Sequence, residues 1–213
     1  MTRFTSALVV VAALVIGAGA GVHGQVGKSL GVVDPNVAPE SELTALPHMT
    51  PAIVKALMEK RPFMNILELN TFLQGQGLSA QQITDVYGKA FIHINLNTAT
   101  RDEIVLIPGA GARMAREFAE YRPWKTYAQF EKEIGKYVGA QETARLAQYT
   151  FIPVKLNTAT DEDILSIPGA GRRMVREFKE YRPWKTKEQF EKEIGKYVGA
   201  KETARLWRYV TID

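Results

Sequence analysis

The sequence contains no cysteine. That absence excludes a disulfide framework, a thiolate zinc centre, a cysteine nucleophile and a lipid-modified cysteine behind a leader segment. Histidine is scarce as well, at three residues in 213. His23 falls in the leader-like N-terminus, and His48 and His93 have no recurring partner and no metal-ligand spacing. No metal and no cofactor is expected. No serine or histidine recurs in both copies of the duplication described below, so the chain reads as a non-enzyme. Carboxylates lie on amphipathic helix faces or at helix starts, as in Asp102-Glu103 and Asp161-Glu162-Asp163, where they favour the helix dipole. A strong charge of either sign is also missing. The formal charge is +4, but residues 1–94 balance six basic against six acidic residues, residues 95–153 carry +1 and residues 155–213 carry +3. A polyanion partner would therefore prefer the C-terminal part.

Long apolar runs are absent apart from one. Arg3 precedes an uncharged stretch from Phe4 to Val22, with its apolar heart at Ala7–Ile16 and small residues at Gly17-Ala18-Gly19-Ala20-Gly21. This is the pattern of a secretory signal peptide over residues 1–24, with cleavage after Gly24 or after Ala20. The alternative is an uncleaved anchor, since the stretch is about long enough to span a bilayer. In both cases the single positive flank is N-terminal, so the rest of the chain is expected outside the cytoplasm, in the periplasm or extracellular. Membrane contact is expected only if the segment stays attached.

The remainder has an ordinary globular composition, 46% apolar and 23% charged. It is repetitive. Leu-Asn-Thr-Ala-Thr stands at 96–100 and 156–160, Ile-Pro-Gly-Ala-Gly at 107–111 and 167–171, and Tyr-Arg-Pro-Trp-Lys-Thr at 121–126 and 181–186. About three quarters of the paired positions are identical at an offset of sixty, which marks a tandem duplication. An eroded third copy precedes them: Asn36, Leu46-Pro47, Ile53, Leu57, Arg61-Pro62-Phe63 and Phe91-Ile92 fall in the same order with a one-residue slip. The expected organisation is a signal segment 1–24, a flexible linker 25–35, and units at 36–94, 95–153 and 154–213.

Each unit reads as four short helices, giving an all-α fold. Thr100 with Glu103 forms a capping box, and Pro108-Gly109 stops that helix. A second helix from Ala112 carries Met114, Phe118 and Tyr121 on one stripe and ends before Pro123. Thr126 with Gln129 opens a third, Gly135 and Gly139 bracket a turn, and a fourth carries Leu146. Phe151-Ile152 leaves as an extended connector. Sixty residues make a small core, so neighbouring units are expected to pack on one another.

The stretch Ile104–Phe118 sets a tight glycine-x-glycine turn between two helices. Glycine permits positive φ there and leaves no side chain over the turn. Turn amides and the following helix N-terminus then converge on an anion such as phosphate. Arg113 lies just inside that helix, and the third unit has Arg172 and Arg173 after Gly169-Ala170-Gly171.

These residues resemble the helix-hairpin-helix family, and the larger pattern is similar to exported ComEA-like DNA-uptake proteins of competence systems. The resemblance implies non-specific binding of double-stranded DNA through phosphate. The residues it implicates are Gly109, Ala110, Gly111 and Arg113, then Gly169, Ala170, Gly171, Arg172 and Arg173. A second hairpin is implied at Val138-Gly139-Ala140-Gln141, which lacks its second glycine. The first unit has Pro47-His48-Met49-Thr50-Pro51 at the hairpin and Ala52 in place of the arginine; Thr50 and Pro51 make a good helix start, so it reads as structural. The architecture also resembles the PsbU-type extrinsic subunit of photosystem II, which implies a protein-contact or scaffold role with structural hairpins. Arg113/Glu117 and Arg116/Glu120 are spaced for intrahelical ion pairs. Trp124 and Trp184, beside lysines, read either as platforms for bases or as corner residues between helices, and Tyr137 and Tyr197 as hairpin core.

Overall fold

Helix starts are set by side chains that accept from the backbone. The computed structural model describes residues 25–212, and within them the chain is mostly helical. The expected signal segment lies outside the described residues. Thr50 caps α2 (Pro51–Lys60), Asn65 caps α3 (Ile66–Gly75) and Ser79 caps α4 (Ala80–Tyr87), behind a short α1 (Glu40–Thr44). Thr100 and Thr160 form complete capping boxes with Glu103 and Asp163 at α5 (Arg101–Ile104) and α8 (Asp161–Ser166). Two more pairs follow: α6 (Ala112–Glu120) with α7 (Tyr127–Ala147), and α9 (Arg172–Glu180) with α10 (Lys187–Trp207). Thr126 caps α7 through the Gln129 amide. The Gln129 side chain does not complete the box; its Oε1 accepts from the Lys125 amide at 3.0 Å.

Three stretches close by laying their first residues beside their last. Val33 bridges Ala90 in parallel; β1 (Ile94–Asn95) pairs in parallel with β2 (Thr150–Phe151), and β3 (Val154–Lys155) with β4 (Val210–Thr211). We call these stretches the first, second and third segments. Within each, an asparagine clasps the backbone of an aromatic residue. The Trp124 amide donates to Asn97 Oδ1 (2.6 Å) while Asn97 Nδ2 donates to the Trp124 carbonyl (3.0 Å). Asn157 and Trp184 repeat this, as do Asn36 and Phe63. The preceding Arg–Pro peptide is cis in all three, at Arg61-Pro62, Arg122-Pro123 and Arg182-Pro183. Each of these arginines donates to main-chain carbonyls of its own segment, for example Arg122 Nε to Leu96 (2.8 Å) and Arg61 Nη1 to Ala38 (2.8 Å).

One apolar core runs from Val32 to Ile152 and serves both the first and second segments; the third has its own, joined by Val26 and Phe151. Two expectations are corrected. Residues 25–35 are not a flexible linker. Val26 bridges Phe151 in antiparallel, the Gly27 amide donates to Thr150, and Val26, Gly27, Val32, Asp34 and Pro35 are buried. The apolar valines and the free edge of β2 supply the reason. Nor does Gly135 bracket a turn. The third and fourth expected helices form α7, broken only at Gly139 (φ 78°, ψ 169°), and Gly135 lies inside it with the Thr143 hydroxyl close by.

Candidate nucleic-acid interface

The turn between α5 and α6 is built on Ile107, which is buried, and on one amide: Ala110 N donates to the Ile107 carbonyl at 2.9 Å. Ala170 does the same to Ile167. Both alanine side chains are buried, so these two amides, counted among the phosphate contacts, are already occupied inside the turn. Gly109 and Gly169 adopt φ of 79° and 78°, the left-handed region that favours glycine. Their other side is braced by an arginine: Arg145 Nη2 donates to the Pro108 carbonyl (2.7 Å), and Arg205 Nη2 to that of Pro168 (2.7 Å). Glu142 and Glu202 hold these guanidinium groups. Burial alone would push Arg205 down, but hydrogen bonds and charge from Glu202 outweigh it and raise its pKa.

The second glycine of each turn behaves differently. Gly111 and Gly171 have φ of −85° and −97° with extended ψ, a conformation open to any residue. A Cβ built there would meet nothing within 4 Å. The expectation that both glycines serve positive φ is therefore corrected: only the first does. Gly111 and Gly171 are the N-caps of α6 and α9, and neither helix receives a side-chain cap. The first segment makes the same turn without glycine. His48 takes φ of 62°, held by Asp85 (2.9 Å), and the Thr50 hydroxyl accepts from the Ile53 amide at 3.3 Å. The same helix start is closed by its own hydroxyl in the first segment and left open to solvent in the other two.

Arg113, Arg172 and Arg173 are exposed beside these open ends. Arg113 lies over the Tyr137 ring (5.1 Å to the centroid) and Arg173 over Tyr197 (4.8 Å). In α9 the short ion pair of Glu177 is with Arg176 (2.9 Å), not with Arg173, and this partner holds the Glu177 carboxyl below its ordinary value. Tyr137 and Tyr197 are partly buried and pack against the apolar cores of their segments. Trp124 and Trp184 are buried, their Nε1 groups donating to the carbonyls of Phe118 (2.8 Å) and Phe178 (2.7 Å), which excludes them as platforms for bases.

Sequence reasoning undervalued the second turn. Gly139 and Gly199 are left-handed (φ 78° and 77°), and the hydroxyls of Thr143 and Thr203 donate to their carbonyls. The Arg113–Tyr137 contact brings this turn beside the first. The third segment places Lys201 here, where the second has Gln141, and Arg172 where the second has Ala112. Among the described residues neither Arg172 nor Lys201 has a hydrogen bond, ion pair or ring contact. Comparing the two copies position by position is the signal that would have found Lys201.

Both turns also have neighbours within the molecule. A Cβ at Gly169 would lie 2.8 Å from Val37 Cγ1, beside a cavity of about 620 Å³ that His93 and Asp34 help line. Gly109 borders a smaller cavity of about 290 Å³ shared with α3 and α4. No helix of the described residues is long and apolar enough to cross a membrane, and none of them cluster as three or more potential metal ligands. Comparison with family models, with curated proteins and with solved structures gives no match for this chain.

Proposed function

We propose that the chain is an exported, non-catalytic protein of three tandem helix-hairpin-helix units that binds duplex DNA without sequence specificity. Phosphate would be held at the open helix starts of the second and third units by the amides at Gly111 and Gly171, with Arg113, Arg172, Arg173 and the newly recognised Lys201 around them. The observation that carries this reading is the uncapped start of α6 and α9. Nothing inside the fold requires glycine at 111 or 171, while the corresponding first-unit position, Thr50, closes its own helix. Two unpartnered cations gained by the third unit, Arg172 and Lys201, both flank its glycine turns, so that unit is the principal grip.

The test is titration of the protein lacking residues 1–24 with unrelated DNA duplexes at low and moderate salt. Binding should weaken steeply with salt, with a log–log slope of about −0.9 per phosphate engaged. The double variant Gly111→Asp/Gly171→Asp supplies each helix with its own carboxylate cap and should remain folded yet lose DNA. Undiminished binding by that variant, or no binding by the unaltered protein at low salt, sinks the proposal. Export is tested separately by the N-terminal sequence of the protein recovered from the extracytoplasmic fraction.

A second reading, a protein-contact scaffold, is favoured by Val37 against Gly169 and by α3 and α4 beside Gly109, where the turns act as packing elements. It predicts a specific extracytoplasmic partner whose recovery is indifferent to added DNA.

A further inference from the structure

Beside each open helix start in the second and third segments stands a constellation that the turn itself does not need. The Tyr121 and Tyr137 hydroxyls meet at 2.8 Å, and those of Tyr181 and Tyr197 at 2.9 Å, tying the end of α6 or α9 to the middle of the next helix. Each ring of the pair carries a cation. Arg113 and Arg173 lie over the second tyrosine, and Lys136 and Lys196 over the first at 5.7 and 5.8 Å. Below, Glu117 and Glu177 each keep one carboxylate oxygen buried and without a hydrogen-bond partner among the described residues. Glu177 is 1% exposed, and the Arg173 charge is among the influences that keep it ionised.

The first segment is an internal control. It retains the asparagine clasp, the Arg–Pro corner and a left-handed glycine at the second turn, Gly77. It has Ala52 at the arginine position, Lys60 where Tyr121 stands, and Gln76 where Tyr137 stands. The arginine and both tyrosines are missing together, while the asparagine clasp and the cis Arg–Pro corner stay, with Phe63 in the tryptophan's place. The tyrosines therefore go with the arginine and not with the corner.

We propose that Tyr137 and Tyr197 are positioning residues, holding Arg113 and Arg173 over their rings so that the guanidinium groups stand ready beside the open helix starts. An unrestrained arginine loses side-chain entropy when it engages an anion; a stacked one has already lost much of it. The hydroxyl bridge fixes the second ring, and the buried carboxylate beneath favours a cation above it. The role in DNA affinity rests on the function proposed above, whereas the stacking is measurable without any ligand.

Three double variants separate the possibilities: Tyr137→Phe/Tyr197→Phe keeps the rings, Tyr137→Leu/Tyr197→Leu removes them, and Arg113→Ala/Arg173→Ala removes the cations. Without DNA, the side-chain NMR signals of Arg113 and Arg173 should show ring-current shifts in the unaltered and Phe proteins, and lose them in the Leu protein. With duplex DNA at low salt, the Leu substitutions should weaken binding about two- to fivefold per site, and the Phe substitutions much less. Added to the Arg→Ala background, the Leu substitutions should cost nothing further. Unshifted arginine signals in the unaltered protein overturn the positioning role, as does an equal loss in the Arg→Ala background. Loss of all DNA binding by the unaltered protein overturns the function above and leaves the arginine shifts to decide this proposal. Circular dichroism melting confirms that each variant is folded.

Discussion

Two glycines of one turn, two residues apart, have different reasons for being glycine. Gly169 has φ of 78°, and a Cβ there would press on Val37 and Arg205 at 2.8 and 3.1 Å. Gly171 has ordinary extended backbone and open space. Gly169→Ala is expected to destabilise the protein by about 1–3 kcal/mol, through left-handed strain and the displaced neighbours. Gly171→Ser should leave stability unchanged or raise it by a few tenths of about 1 kcal/mol, since serine caps a helix slightly better than glycine. Thermal unfolding of the two variants decides; a similar loss at both positions contradicts this division. The glycine-x-glycine pattern was legible as a turn from the sequence. Which glycine serves the backbone and which leaves a surface open was not, because that depends on dihedral angles and neighbours fixed only after folding.

At the scale of elements, the second and third segments differ where their neighbours differ. Gln148 Oε1 accepts from the Leu30 amide, while Arg208 at the matching place donates to the His93 carbonyl. Leu106 packs against the shared core, while Ser166 Oγ accepts from the Val26 amide. Ala147 leaves room for the passing chain at Gly27, whereas Trp207 packs on Phe190 (5.2 Å between centroids). These differences look arbitrary when the copies are compared, and residues 25–35, whose Val26, Gly27 and Leu30 account for three of them, read as a linker. A Cβ at Gly27 would fall 1.9 Å from the Ala147 carbonyl oxygen. Gly27→Ala should therefore lift this N-terminal arm off α7, costing about 1–3 kcal/mol. Limited proteolysis should then cut near Lys28, and an uncut arm in the variant would refute the arrangement.

Across the whole molecule, the third segment is fastened to the first by a buried polar group of side chains. Asp34 accepts from the Asn36 amide (2.8 Å) and from the Tyr209 hydroxyl (3.1 Å), with His93 Nδ1 at an ion-pair distance of 3.6 Å and the Arg205 charge nearby. Burial pushes the Asp34 carboxyl up, but His93, Arg205 and the Asn36 amide together outweigh it and hold the pKa below 3.8; burial with the Asp34 charge pushes the Tyr209 hydroxyl upward. A carboxyl whose folded pKa is depressed contributes stability that is present above its unfolded value and lost as pH falls through the folded one. Stability should therefore drop below about pH 4, and Asp34→Asn should lower stability at pH 7 by about 1–3 kcal/mol while flattening that acid-side drop. Urea unfolding at pH 7 and pH 3 measures both, and an equally steep acid-side drop in the variant assigns the effect to other carboxylates.

The sequence by itself determined what local backbone chemistry controls. The duplication is plain from identities sixty positions apart, and the threonine caps, the helix ends before Arg–Pro, the glycine turns and the mostly helical fold follow from residues a few positions apart, whose preferences act before any tertiary contact forms. The tertiary structure alone decided that Trp124 and Trp184 are buried, that the arm is pinned to β2, and that Tyr197 carries Arg173. It also decided that Asp34 meets Tyr209 across 175 positions of chain. Such contacts exist only once separate segments are packed, because neither side-chain periodicity nor capping encodes which surface one segment offers to another.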